Sequence, residues 1–237
     1  MSRPDAPKIT CCLAAWNEVA SLRSVAEAQL EALEKLGVSY ELVVVDDGSS
    51  DGTGEVADQL AAERPHVRVI HHPQNQGLGG VYRTGFSSAR GTFVTFFPAD
   101  GQFPPGNLAA LYPAAEQWDF VLGMLPGRTD SALGAVLGAT ERLLYRVLVG
   151  QMPRLEGVFM VRRSVLEAIP LKSQGRAWTV LWELLLRAQR RGHRMTNVPI
   201  ELRARLHGTS KVNNLRTVLI NVRGLLALRR LVDEPRG

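Results

Sequence analysis

A chain of 237 residues that is 45% hydrophobic and 22% charged carries enough apolar surface for one sizeable core, which excludes disorder and collagen-like states. Its two cysteines, Cys11 and Cys12, are adjacent and point to opposite faces of one extended run, so they frame neither a disulfide scaffold nor a zinc site and fit a reducing, cytosolic compartment. The net charge of +5 is unevenly spread: residues 1–120 carry 8 Lys/Arg against 15 Asp/Glu, and residues 121–237 carry 20 against 8. Lys8, Lys35, Lys172 and Lys211 are the lysines, so the basic half is almost wholly arginine, the cation suited to forked contacts with phosphate. The acidic first half and the lack of basic–aromatic interleaving argue against nucleic acid as a partner. The opening MSRPDAPKIT lacks the apolar stretch of a signal peptide, and no run of about 20 apolar residues predicts a membrane span.

The first half alternates strand and helix signals. Residues 8–14 (KITCCLA) read as a strand, 18–36 as a helix, and 40–45 (YELVVV) as a second strand that ends in DDGSSDGT. A helix over 52–63, a strand over 67–72 (VRVIHH), a helix over 78–90 and a strand over 92–97 (TFVTFF) follow. Next come a helix over 105–117 and a strand over 119–124 (DFVLGM). Short apolar runs without polar alternation are buried on both faces, as in a parallel sheet covered by helices. The second half is less regular: a long helix over 131–149, a short strand over 157–162 (GVFMVR), a helix over 176–191 ending at Gly192, an extended stretch over 194–204 and a helix over 213–232. No Pro/Gly/Ser linker interrupts the chain, so one α/β domain with a mostly parallel central sheet is expected over 1–237.

Open parallel sheets bind ligands beyond the carboxyl ends of their strands. Asp46-Asp47-Gly48-Ser49-Ser50-Asp51-Gly52-Thr53 falls at such an end. Two consecutive carboxylates there are costly unless something uses them, and ribose hydroxyls and base N–H groups are candidate users. Ser49, Asp51 and Thr53 read as residues that shape the turn and cap the next helix. Neither a Walker lysine nor a G-x-G-x-x-G fingerprint follows the first strand; the loop there is Leu13-Ala14-Ala15-Trp16-Asn17-Glu18.

With DDGSSDGT, that loop resembles the opening motif, hydrophobic-Pro-x-Tyr-Asn-Glu, of the GT-A fold glycosyltransferases of family 2. The likeness continues through Asn75-Gln76-Gly77-Leu78-Gly79 with Arg83, Gly85, Ala89 and Gly91, and through Pro98-Ala99-Asp100-Gly101-Gln102, where the family carries Asp-x-Asp-x-Gln. Late in the chain, Val198-Pro199-Ile200 and Arg205-Leu206-His207-Gly208-Thr209-Ser210-Lys211 resemble the Arg-x-x-Gly-x-Ser-Lys signature of the dolichyl- and polyprenyl-phosphate sugar (mannose or glucose) synthases. The likeness covers about residues 8–212.

This resemblance implies a Rossmann-like GT-A domain with a nucleotide-sugar-binding half over 8–123, an acceptor-side half over 124–212 and a C-terminal amphipathic helix over 213–237. It implies inverting transfer of a hexose from a UDP- or GDP-sugar to a polyprenyl phosphate at the cytosolic membrane face. Asp100 and Gln102 would hold Mg²⁺ or Mn²⁺. Arg205, Ser210 and Lys211 would meet the diphosphate from the other side. Ala14, Trp16, Glu18, Asp46, Asp47, Gly79 and Arg83 would line the nucleotide-sugar pocket, with Trp16 stacking on the base.

Two departures matter. Pro98 stands where the family has the first aspartate, so weaker metal dependence, or a metal that binds only with nucleotide, is expected. The opening proline is Ala14, a change in loop stiffness. A phosphate nucleophile is already deprotonated at neutral pH and needs cations to position it. Arg128 precedes helix 131–149, and Arg142 and Arg146 share one of its faces at i, i+4; Arg146, in LLYRVLVG, best matches the family's arginine. Leu155-Glu156-Gly157-Val158 replaces the usual Thr-Ser-Gly-Phe, so Glu156 is either a general base for a hydroxyl acceptor or the ion-pair partner of Arg154 or Arg146. The loss at Pro98 also leaves open a non-catalytic nucleotide-sugar-binding relative. Arg216, Arg223 and Arg230 recur every seven residues among Leu, Ile and Val, a stripe that fits either peripheral contact with the membrane interface or packing on the domain.

Overall fold

The computed structural model describes residues 6–126, 153–203 and Leu228. In chain order the elements are β1 (Ile9–Ala15), α1 (Leu22–Lys35), β2 (Tyr40–Asp46), α2 (Thr53–Glu63), β3 (Val67–His71), α3 (Gly77–Ser88) and β4 (Phe93–Pro98). There follow α4 (Asn107–Gln117), β5 (Phe120–Met124), β6 (Phe159–Arg162), α5 (Arg163–Ala168), α6 (Thr179–Arg190) and β7 (Met195–Pro199). The strands form one seven-stranded sheet in the order β3-β2-β1-β4-β6-β5-β7. β1 to β4 pair in parallel, as do β5 and β7, while β6 runs antiparallel to both β4 and β5. The apolar runs announced the buried inner strands correctly, whereas β3 at the sheet edge is half-exposed; they encode burial, not direction, and gave no sign of the reversed β6.

Successive side chains of β1 alternate between two cores. Cys11 packs on the face covered by Leu22, Leu30, Leu33 and Leu60 of α1 and α2, and Cys12 on the face covered by Val81, Phe86 and Leu184 of α3 and α6. Both thiols are free and fully buried, and burial pushes their pKa values up, so neither is a nucleophile. α3 lies close on the sheet because Gly85 has no side chain: a Cβ there would come within 2.3 Å of the Phe96 ring and 3.1 Å of the Cys12 sulfur. Gly91 does the same beside the backbone of Ile9 and Thr10.

Some boundaries differ from expectation. α1 starts at Leu22 instead of Glu18 because Asn17, at φ 53°, and the residues after it form the β1 loop. α6 starts at Thr179 instead of residue 176, since residues 170–178 are a loop held against α3. The short α5 was not anticipated. The helix expected over 131–149 lies outside the described residues, as does that over 213–232 except for Leu228, which is helical and buried. No helix among the described residues is long and apolar enough to cross a membrane.

Candidate active site

The loops that leave the carboxyl ends of β1, β2, β3 and β4 converge on one rim of the sheet. Strand-like hydrogen bonds carry the alignment past the strand ends: Asp47 N–H and Ala99 N–H donate to the Ala15 and Ala14 carbonyls at 2.9 Å, and His72 N–H donates to Asp46 O at 2.9 Å. The β1 and β2 loops are stitched together. Asn17 N–H donates to Ser49 Oγ (2.9 Å), Ser50 N–H to Asn17 Oδ1 (2.9 Å) and Glu18 N–H to Thr53 Oγ1 (2.8 Å). Asp51 accepts from Val19 N–H and Thr53 N–H, which bears out its reading as a turn-shaping residue. Glu18 accepts a hydrogen bond from Ser21 Oγ at the start of α1. Trp16, just beyond β1, is 40% exposed on this rim.

Asp46 and Asp47, consecutive and therefore on opposite faces of the sheet, each meet a histidine of the next strand end. His72 Nδ1 lies 2.7 Å from Asp47 Oδ1, both side chains 4% exposed, and His72 Nε2 lies 2.8 Å from Thr84 Oγ1. Asp47 also accepts from Gln76 N–H and Gly77 N–H (2.8 Å each) and from the Asn75 amide (2.9 Å). Four donors fill its two oxygens. Asp47 therefore fixes the β3–α3 loop and the start of α3. Asp46 accepts from Ser49 N–H (3.1 Å) and faces His71 Nδ1 at 2.9 Å, which leaves it acceptor capacity that Asp47 lacks. These two histidines escaped the sequence reading, although the signal was there: DD closing one strand and HH closing its parallel neighbour.

His71 also approaches Asp58 of α2 at 3.0 Å. The Asp46 hydrogen bond, reinforced by Asp58 and opposed by burial, raises the His71 pKa above its ordinary 6.5. Burial alone would raise Asp46, but hydrogen bonds from Ser49 and His71 prevail and hold it below its ordinary 3.8. The contribution of His71 is fully present below its unfolded value and fades as pH rises through the higher folded one. The melting-temperature gap between wild type and His71→Gln should therefore be wider at about pH 6 than at about pH 9; an equal gap at both contradicts this.

The β4 turn carries the candidate metal ligands. Asp100 is buried, and its Oδ1 accepts Gln102 N–H at 3.0 Å around Gly101 (φ 73°). The Gln102 carbonyl accepts Arg203 N–H at 2.8 Å, and Asn107 clamps the backbone of Glu201 through both its amide groups (2.8 and 3.0 Å). The chain that leaves β7 is thus delivered to the Asp100 turn two residues before Arg205. Arg205, Ser210 and Lys211, like Arg128, Arg142 and Arg146, lie outside the described residues. The ring of Phe103 closes on Gly157, where a Cβ would meet it at 2.3 Å, so the segment bearing Glu156 borders the same turn.

Other predicted site residues prove to be engaged within the protein. Arg154 forks onto Glu156 Oε1 (2.9 and 3.1 Å), and Leu125 N–H donates to Glu156 Oε2 at 2.7 Å. Of the two ion-pair partners considered for Glu156, the structure supplies Arg154. Both carboxylate oxygens are engaged, and through Leu125 Glu156 ties down the end of β5. Arg83 donates to the Ser173 and Gly175 carbonyls, and Gly79 sits where a Cβ would lie 2.0 Å from Gly175 O. Both hold α3 against loop 170–178. Ala14 is the β1 residue whose carbonyl anchors the β4 turn.

Comparison with known proteins matches this architecture. A family model described as Glycosyl transferase family 2 matches residues 10–169. The chain is 34% identical over 211 residues to the polyprenol monophosphomannose synthase of Mycolicibacterium smegmatis, covering 83% of this chain and 79% of that protein. It is 32% identical over 224 residues to the undecaprenyl-phosphate mannosyltransferase of Micrococcus luteus, covering 87% and 88%. Its fold resembles glucosyl-3-phosphoglycerate synthase from Mycobacterium tuberculosis, solved with Mn²⁺, UDP and phosphoglyceric acid, at a TM-score of 0.69 and 21% identity over 98% of this chain and 80% of that one. With more than half of its length matched by the family model and two relatives above 30% identity, the chain belongs to glycosyl transferase family 2 and is a glycosyltransferase.

Proposed function

We propose that the chain moves a hexose from a nucleotide-diphosphate sugar to a polyprenyl phosphate, inverting the anomeric carbon by a single in-line displacement. The two relatives that carry the acceptor in their names support the lipid phosphate. The observation that carries the site is the tether from Arg203 N–H to Gln102 O, which fixes the chain beside the Asp100 turn two residues before Arg205. In this reading Trp16 stacks on the base, Asp46 accepts from the nucleoside, and Arg205, Ser210 and Lys211 meet the diphosphate. Asp47 acts through the loop it holds.

The turn offers oxygen donors only, a buried carboxylate at Asp100 and the amide of Gln102, a set that fits Mg²⁺ or Mn²⁺. Among the described residues no cluster of three or more His, Cys, Asp or Glu could hold a metal ion. Substrate diphosphate and water would complete such a set, so the ion would bind together with nucleotide. When bound, it neutralises charge on the departing diphosphate.

Arg128, Arg142 and Arg146 would position the acceptor phosphate, and the arginine stripe over 213–232 would bring the protein to the membrane surface. The hydroxyl-acceptor alternative has less support, because Glu156 already accepts from Arg154 and Leu125. Incubation with labelled UDP- or GDP-hexose, Mg²⁺ and undecaprenyl phosphate tests the reading. Label should enter the lipid fraction. Label that enters only alcohols, and is lost in Glu156→Gln, contradicts it.

A further inference from the structure

We propose that Arg176 is a further substrate-binding residue that grips a phosphate oxyanion beside the start of α3, an inference that rests on the transferase reading above. Loop 170–178 crosses the first turns of α3 at a distance only glycine allows. Gly79 N–H donates to Arg176 O at 3.0 Å, and a Cβ on Gly77 would lie 2.4 Å from that same oxygen. From behind, the loop is fixed by Glu183, whose side chain is fully buried in α6. Its carboxylate accepts Ser173 N–H (2.7 Å) and Lys172 N–H (3.0 Å) and pairs with Arg187 Nε (3.0 Å). A buried carboxylate is costly unless it is hydrogen-bonded. Here its bonds go to the backbone of a surface loop, which they hold in one place.

That loop presents Arg176 to solvent. Its Nη2 donates to Asn75 O and Asn75 Oδ1, both at 2.8 Å, and the Asn75 amide donates in turn to Asp47. Among the described residues the guanidinium has no carboxylate within ion-pair distance, unlike Arg23, Arg68, Arg154 and Arg163, which each rest on one. Nη1 and Nε have no partner among the described residues. The result is a fork held by one nitrogen with its charge uncompensated, the form that binds phosphate oxygens in pairs. Asp47 directly follows β2, and Asn75 lies in the loop between β3 and α3. From β2 to β4 is two strand spacings, about 10 Å, within the length of a nucleotide-diphosphate sugar. The oxyanion is either the donor diphosphate or the acceptor phosphate, and the chemistry of recognition is the same.

The test measures UDP and GDP binding with Mn²⁺ by calorimetry, and transfer kinetics with undecaprenyl phosphate. It compares wild type, Arg176→Ala, Arg176→Lys and, as a control, Lys35→Ala on the exposed end of α1. Arg176→Ala should weaken one substrate roughly tenfold at unchanged melting temperature, with partial recovery in Arg176→Lys, which keeps the charge but not the fork. A loss in nucleotide affinity assigns the donor; a raised KM for the lipid at unchanged nucleotide affinity assigns the acceptor. Both constants within about twofold of wild type, or a loss that only follows a lowered melting temperature, overturns the proposal. A wild-type chain that neither binds nucleotide nor transfers sugar overturns the transferase reading, and this inference with it.

Discussion

Asp47→Ala should destabilise the protein by about 3–5 kcal/mol, because several hydrogen-bond donors lose their shared acceptor together. The substitution strands four donors at once: His72 Nδ1, the Asn75 amide and the N–H groups of Gln76 and Gly77. Each buried donor left without a partner costs about 1–3 kcal/mol, and only water entering the gap limits the total. Against an overall stability of about 5–15 kcal/mol, that is a large fraction. Thermal melting should fall by on the order of 10 °C. Asp47→Asn keeps the shape but turns two acceptor sites into donors facing other donors, so it should recover little. An Asp47→Ala protein that melts within a degree or two of wild type would mean that the β3–α3 loop is held by something else.

Asp100→Asn should act on turnover, not on folding. The asparagine carbonyl still accepts Gln102 N–H, so the turn around Gly101 survives. What disappears is the negative charge that a divalent ion needs, at a site where Pro98 has already removed one carboxylate. Loss of a preorganised charge contact at a leaving group costs about 10²–10³-fold in kcat, and with one carboxylate to begin with the upper end is expected here. Steady-state transfer rates at saturating Mg²⁺ check this, and a loss smaller than tenfold would move the metal away from Asp100.

Much of the fold was legible because its inner strands are buried on both faces and read as apolar runs, most of them followed by a helix. The rim was legible for a related reason: DDGSSDGT and PADGQ each close a strand, NQGLG opens the helix after a third, and strand ends of a parallel sheet meet at one edge. What remained hidden depends on partners distant in sequence. The apolar run of β6 carries no mark of direction. Glu183, within the LWELLLR stretch of α6, has the look of an ordinary helix acid until Ser173 and Lys172 are seen to close on it. Gly79 and Arg83 belong to a family-like motif, yet their neighbours are the backbone of residues 173–177, and the motif therefore serves packing. Two adjacent carboxylates imply a user outside the protein, yet Asp47 is bound by the neighbouring loop, through His72 and Asn75.

Calorimetric titration of UDP and GDP into the protein, with and without Mn²⁺, bears most directly on the site as a whole. One of the two nucleotides should bind, more tightly with the ion than without it, and both Asp100→Asn and Lys211→Ala should weaken that binding. Nucleotide affinity indifferent to Mn²⁺ and to both substitutions would contradict a diphosphate pocket at the β4 turn.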